Sequence, residues 1–282
     1  GVVYQGRDPK IGRTVAIKTL ALSAEFEGSD LQEARARFFR EAETAGRLQH
    51  PNIVTIFDAG EEHDLAYIAM EFLNGTDLMP HTRAGGLLPV ADVLRIGEQV
   101  ALALDHAHRQ NVVHRDIKPA NVMLDPATGI VKVTDFGIAR ITDSSRTKTG
   151  VVLGTPSFMS PEQLAGHHVD GRSDLYSLGA MLFQLLTGEL PLKGDSLAAL
   201  MYQIANTVPP DVRSLRPELP PALSVCLARA MAKLPEQRHQ SGAEMAADLR
   251  RIAELPDADQ AFDATQPLRR DRSAPTSPDL QV

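Results

Sequence analysis

The chain of 282 residues is 43% apolar and 23% charged, the balance of a globular protein long enough for one large domain or two lobes that each bury a core. Its net charge of -7 disfavours a generic nucleic-acid binder, which needs a basic excess to meet phosphates. The single cysteine, Cys226, excludes an intrachain disulfide and reads as a small core residue of a cytosolic chain.

Residues 1–20 predict two strands, GVVYQGR and RTVAIKTL, joined by the turn DPKIG. Val15, Ile17 and Thr19 alternate there with Ala16 and Lys18, the period of a strand. A polar loop ending at Gly28-Ser29-Asp30 leads into a long helix whose Phe38, Ala42, Ala45 and Leu48 share a face, and His50-Pro51 stops it. Two more strands, NIVTIFDAG and DLAYIAMEFL, complete a small sheet with one helix, ending near Leu73-Asn74-Gly75. Beyond Gly75 the pattern turns mostly helical. Val93, Ile96, Val100 and Leu104 mark a helix of about five turns. Further helices are expected near 172–188, 196–206, 221–233 and 241–254. The most apolar stretch, LYSLGAMLFQLLT over 175–187, is too short to cross a bilayer and reads as a buried core helix. From about Leu255 the apolar pattern gives way to Pro, Ser, Asp and Arg, the composition of a flexible tail over 255–282.

The chemistry lies in the middle of the chain. VVHRDIKPANVML sets a carboxylate, Asp116, two residues before Lys118 and five before Asn121. A second carboxylate, Asp135, follows in VTDFGIAR, and Lys18 lies in VAIK on the first sheet. These are the parts of a phosphoryl-transfer site, where charge must be neutralised more than covalent help supplied. A lysine grips phosphate oxygens, an acid and an amide hold a hard cation such as Mg²⁺, and a separate carboxylate orients and deprotonates a hydroxyl.

VAIK, HRDIKPAN, DFG and SPE, in that order, resemble the protein kinase signature set over nearly the whole chain, from Gly1 to about Glu254. HPNIV, GTPSFMSPEQ and SDLYSLG make the chain most similar to the bacterial eukaryotic-type (Hanks-type) Ser/Thr protein kinases. The resemblance implies an α+β, two-lobe fold: a small β-sheet N-lobe with one helix over 1–73 and a larger, mainly α-helical C-lobe over 74–254. It aligns Gly1 with the third glycine of G-x-G-x-x-G-x-V and Val3 with its valine, implying a catalytic domain truncated at the glycine-rich loop.

The roles implied by the resemblance follow residue by residue. Lys18 contacts the nucleotide phosphates and pairs with Glu41 in FFREAE. Gly1, Val3, Ala16 and Met123 belong to the ATP site, Met70 stands at the gatekeeper position, and Glu71-Phe72-Leu73 form the hinge. Asp77 is placed for the ribose. Asp116 is the catalytic base, Lys118 a γ-phosphate contact, and Asn121 and Asp135 the metal ligands. Lys118 and Gly154-Thr155 favour Ser/Thr over Tyr as acceptor. Thr147 and Thr149 are the expected activation-loop phosphosites, with Arg115 receiving the phosphate. Thr265 and Thr276 in the tail are weaker candidates. Glu162 with Arg238 reads as a buried structural pair, and Asp174 as the holder of the HRD backbone.

Taken without the motif set, Lys18 is a solvated strand lysine, Glu41 a helix-surface acid facing Arg37, and His106, His108 and His114 a potential metal cluster. The ordered motifs favour the kinase roles, with His114 packed under Phe136. A binding module of kinase shape usually lacks one of Lys18, Glu41, Asp116, Asn121 or Asp135, and all are present. A small-molecule kinase is disfavoured by GTPSFMSPEQ, the peptide-docking platform of protein kinases. The resemblance further implies ATP with Mg²⁺, or Mn²⁺ in its place, protein substrates with Ser/Thr acceptors, autophosphorylation, self-association and no nucleic acid. It implies a cytoplasmic catalytic domain, with any membrane or sensor segment outside these residues.

Overall fold

The computed structural model describes residues 2–63, 65–136 and 156–255. Gly1, Thr147, Thr149, Gly154, Thr155, Thr265, Thr276 and the tail from 256 onward lie outside them.

The valine-rich start forms β1 (Val2–Arg7), which turns back on β2 (Thr14–Leu20). Asp8 holds the turn by accepting the backbone N–H groups of Lys10 and Ile11 at 2.9 and 3.3 Å, an Asx-type turn that a short carboxylate favours. β3 (Ile56–Glu62) and β4 (Leu65–Glu71) complete an antiparallel sheet in the order β1-β2-β4-β3. The register sets Lys18 between Val3 and Ile68, and Ala16 opposite Met70.

Two helices cover this sheet. The stretch read as a polar loop contains α1 (Leu22–Glu25), because Leu22 and Phe26 are apolar enough to be drawn under the next helix. That helix, α2 (Gly28–Gly46), buries Ala34, Phe38, Ala42 and Ala45 along one stripe. It ends before Leu48, which is nevertheless buried.

The third strand begins at Ile56 rather than Asn52. Residues 52–55 instead cross toward a second sheet, with Ile53 bridging to Val133 in parallel. Asn52 donates to Gln99 Oε1 and to the Val131 carbonyl at 2.7 and 2.8 Å. The second sheet, β5 (Thr76–Asp77), β6 (Val122–Leu124) and β7 (Val131–Val133), is antiparallel and adjoins Asn121 and Asp135 in sequence.

The rest is helical: α3 (Val90–Arg109), α4 (Pro161–Leu164), α5 (Gly171–Thr187), α6 (Leu197–Asn206), α7 (Pro221–Ala230) and α8 (Gly242–Ala253). α5 is buried all round, from Ser173 through Phe183 to Leu186, and each such large apolar side chain contributes about 1.5–3 kcal/mol relative to exposure. Gly188, at φ 76°, ends it in the left-handed cap that glycine adopts without strain. Two hydrophobic clusters result, a small one between α1, α2 and the first sheet and a large one around α3, α5 and α8. The fold is therefore two-lobed, a sheet lobe with its helices above a helical lobe. Cys226 sits in the large cluster, where burial pushes its thiol up to about 12, so it is not an ionised nucleophile. Among the described residues no helix is long and apolar enough to cross a membrane.

Candidate active site

Three segments converge between the lobes. The loop after α3 carries His114, Arg115 and Asp116. The Asp174 carboxylate, fully buried at the head of α5, receives the backbone N–H groups of His114 and Arg115 at 2.8 and 2.7 Å. His108 Nε2 lies 2.7 Å from the same carboxylate. These bonds hold Arg115 at φ 68°, a left-handed conformation costly for a non-glycine residue and commonly kept where a site over-determines it. Asp135 has φ 64° for its own part of the site.

Asp116 is presented by its neighbours. Its Oδ2 accepts from Lys118 Nζ at 2.6 Å and from Asn121 Nδ2 at 2.9 Å, and Nδ2 also reaches the Asp116 carbonyl at 2.7 Å. The Asn121 backbone ties into the β6–β7 hairpin, its carbonyl accepting the Thr134 N–H at 2.9 Å. His114 is buried; its Nδ1 accepts the Asp116 N–H at 3.2 Å and its Nε2 donates to the Thr134 carbonyl at 2.8 Å. Its ring meets Phe136 edge-on at 4.6 Å, as expected from the motif.

Lys18 reaches across from β2 to Asp135 Oδ1 at 2.7 Å. The resemblance pairs Lys18 with Glu41, but among the described residues no such ion pair is present. The Asp135 carboxylate satisfies the ammonium directly. Glu41 instead lines a cleft of about 410 Å³ between α2 and the loop after α3, with Arg37, Arg40, Arg115 and Phe136. A guanidinium-rich wall suits a carboxylate there. Arg37, the alternative partner considered for Glu41, bonds Glu33 at 2.8 Å.

The remaining predicted residues fall around this centre. Val3 is exposed on β1, Ala16 is buried on β2, and Met70 and Glu71 end β4. Leu73 follows that strand, with Asp77 on β5 and Met123 on β6. A small cavity behind Met70 is lined by Lys18, Ile53, Ile68, Asp135 and Phe136. Asp77 Oδ1 accepts the Met79 N–H at 3.0 Å.

Glu162 and Arg238 form a two-pronged pair with both contacts at 2.7 Å. Arg238 also donates to the carbonyls of Arg172, Ala232 and Lys233, so its buried charge is fully hydrogen-bonded. Burial raises the Glu162 carboxyl, but the hydrogen bonds from Arg238 and Ser173 outweigh it and hold the group below its ordinary 4.5.

Some working parts were not read from the sequence. Gln163 donates to the Arg115 carbonyl at 2.8 Å and closes a capping box with Ser160. The signal was available, since S-P-E-Q has the spacing of that box. Lys132 binds Glu71 at 2.7 Å, tying the end of the upper sheet to the lower one. Nothing local in the sequence marks that pair, because its members are 61 positions apart.

The description "Protein kinase domain" belongs to the family model that matches residues 1–242. The chain belongs to the protein kinase domain family. It is 40% identical over 249 residues to serine/threonine-protein kinase PrkC of Bacillus subtilis, covering 88% of this chain and 38% of that protein. Against PknB of Mycobacterium leprae the figures are 42% over 258 residues, 89% and 40%. Against PknJ of Mycobacterium tuberculosis they are 45% over 252 residues, 87% and 42%. The chain thus spans about two fifths of the length of these curated relatives. The solved kinase domain of Mycobacterium tuberculosis PknI superposes with a TM-score of 0.71 at 34% identity, covering 89% of this chain and 90% of that one. Kinase membership brings ATP and a divalent metal ion as the general requirements of the fold.

The oxygens present fit a hard cation. Asn121 uses its Nδ2 for Asp116, and its Oδ1 makes no hydrogen bond among the described residues. Asp135 uses one oxygen for Lys18 and keeps the other. An amide oxygen and a carboxylate oxygen are the ligand types such an ion takes.

Proposed function

We propose that this chain transfers the terminal phosphoryl group of ATP to Ser or Thr hydroxyls of proteins, as a signalling kinase. The observation that carries this reading is Asp116, held between Lys118 and Asn121 beside the Lys18–Asp135 pair. The names of the relatives, all serine/threonine-protein kinases, support the acceptor class.

In this reading Asn121 and Asp135 would hold Mg²⁺, which would supply positive charge to offset that of the phosphate oxygens. Lys18 binds the nucleotide phosphates. Ala16, Met70, Val3 and Met123 border the adenine, the backbone of 71–73 meets its edge, and Asp77 reaches the ribose. Asp116 accepts the hydroxyl proton on Oδ1, the carboxylate oxygen that Lys118 and Asn121 do not engage, as the acceptor oxygen attacks, and Lys118 steadies both the carboxylate and the γ-phosphate. Glu41 supports Lys18 once the nucleotide has drawn that ammonium from Asp135. The chain divides functionally near Leu73 into a nucleotide-covering lobe and a substrate lobe. Phosphorylated Thr147 or Thr149 docks on Arg115, and the guanidinium-lined cleft shared with Arg37 and Arg40 supports that regulation.

The deciding experiment supplies Mg²⁺ and labelled ATP with either a generic basic protein or a panel of small alcohols. Label on protein Ser and Thr, abolished by Asp116→Asn, is the expected result. Label on the alcohols alone would replace this reading with a small-molecule kinase.

A further inference from the structure

The far end of the helical lobe contains a cluster that phosphoryl transfer does not use. Cys226 lies on α7, Asp248 on α8, and His239 on the segment joining them. Cys226 and His239 are buried, whereas Asp248 keeps 25% of its side chain exposed. Cys226 Sγ is 3.9 Å from His239 Nε2, and that nitrogen is 3.1 Å from Asp248 Oδ2. All three potential ligand atoms lie within 4.8 Å of one another.

We infer that Cys226, His239 and Asp248 form a binding site for a borderline divalent transition ion, Zn²⁺ by its donor set, that staples α7 to α8. Three arguments carry it. First, a thiol, an imidazole and a carboxylate together match zinc and its neighbours and suit Mg²⁺ poorly. Second, the two contacts of His239 Nε2 are close to tetrahedral edges. Zn–S and Zn–N bonds of ordinary length set S···N at about 3.6 Å and N···O at about 3.3 Å, within roughly 0.3 Å of the contacts present. Third, His239 is fully buried with its Nε2 already facing both Cys226 Sγ and Asp248 Oδ2, so the ring needs no reorientation to meet an ion held between them.

The surroundings are compatible with an ion. Arg229 and Arg251 both contact the Asp248 carboxylate, Arg229 at 3.6 Å, and fix its orientation in the manner of outer-shell partners. Their positive charge opposes the ion, so the thiolate is indispensable to binding. On coordination the Cys226 proton leaves to solvent as the metal–sulfur bond forms. The His239 proton moves from Nε2 to Nδ1, which lacks a partner in either tautomer. Solvent beside Asp248 provides entry and a fourth ligand. The position also has a consequence for the fold, because His239 directly follows Arg238, which grips Glu162.

The test uses the full chain, stripped with a chelator and then titrated with Co²⁺ and Zn²⁺. Expected are one Co²⁺ per chain with a thiolate-to-cobalt charge-transfer band, its displacement by Zn²⁺, and a rise in thermal midpoint. Cys226→Ser should abolish the band and weaken Zn²⁺ binding at least about tenfold. Asp248→Asn, at the exposed edge, should weaken binding with the fold intact by circular dichroism. Asp135→Asn should keep the band, which separates this site from the nucleotide cleft. Absence of a thiolate band, or equal affinity in wild type and Cys226→Ser, would mean a hydrogen-bonded packing cluster only and would overturn the assignment.

Discussion

Asp116 is useful because its surroundings leave it one task. Lys118 and Asn121 fix its carboxylate, and His114 and Asp174 fix the backbone beneath it. Asp116→Asn is expected to lower kcat by about 10²–10⁴, the usual worth of a general base, with unchanged thermal stability; steady-state kinetics and a melting curve check both. Arg238 behaves oppositely. Arg238→Met leaves Glu162 buried without its cation, which typically costs about 3–5 kcal/mol and is read by urea unfolding. The same pair sets an acid limit. Glu162 is depressed below 4.5 in the fold, so the unfolded chain takes up its proton first. Its contribution is full above 4.5 and is lost as pH falls through the lower, folded value. The urea midpoint should therefore drop on acidification below 4.5, and Glu162→Gln should shallow that limb. At this scale the sequence was most legible where several chemically demanding residues stand a few positions apart, as in 114–121. The partner of Lys18 was not legible, since Glu41 and Asp135 are both acids and only the folded geometry chooses between them.

Elements pack here by close approach of helix backbones. α8 enters against α3 at Gly242, where an added Cβ would lie 2.2 Å from the Ala101 carbonyl oxygen and 2.8 Å from the Asp105 nitrogen. Asp105 Oδ1 also accepts the Ala243 N–H at 3.0 Å, tying the first turn of α8 to α3. Gly242→Ala should therefore destabilise by about 1–3 kcal/mol, the range for overpacking a tight contact, seen as a lowered thermal midpoint with preserved helix content. Long elements with a clean period, α2 and α3, were legible from spacing alone, and α5 from its apolar run. Short ones were not: α1 and β5 are too brief for any period to show, and both form because tertiary neighbours cover them. Residues 52–55 misled because an apolar run reads alike whether it joins a sheet or crosses between two.

For the molecule as a whole, the shift from strand to helix patterning foretold a sheet lobe and a helical lobe, but the large core also takes in Ala45, Leu48 and Ile53, and the bonds linking the lobes were invisible to local pattern. The proposed regulation belongs to this scale, since one copy must present its 141–155 segment to another. Incubation with Mg²⁺-ATP should place phosphate within 141–155 by mass spectrometry, at a rate rising with the square of protein concentration. The salt bridge between Lys18 and Asp135 has a last consequence. On the proposed roles it is a self-quenched dipole: the group assigned to an anion is already engaged by the group assigned to a cation. A nucleotide arriving alone must draw Lys18 away and strand the Asp135 charge, and a cation arriving alone meets a carboxylate already half-neutralised by Lys18, whereas the two together satisfy both ends. Nucleotide and metal should therefore bind with positive reciprocal cooperativity, of about 1–3 kcal/mol or roughly 5–150-fold. Calorimetric titration of nucleotide with and without the ion would measure it, and neutralising Asp135 to Asn should erase the difference.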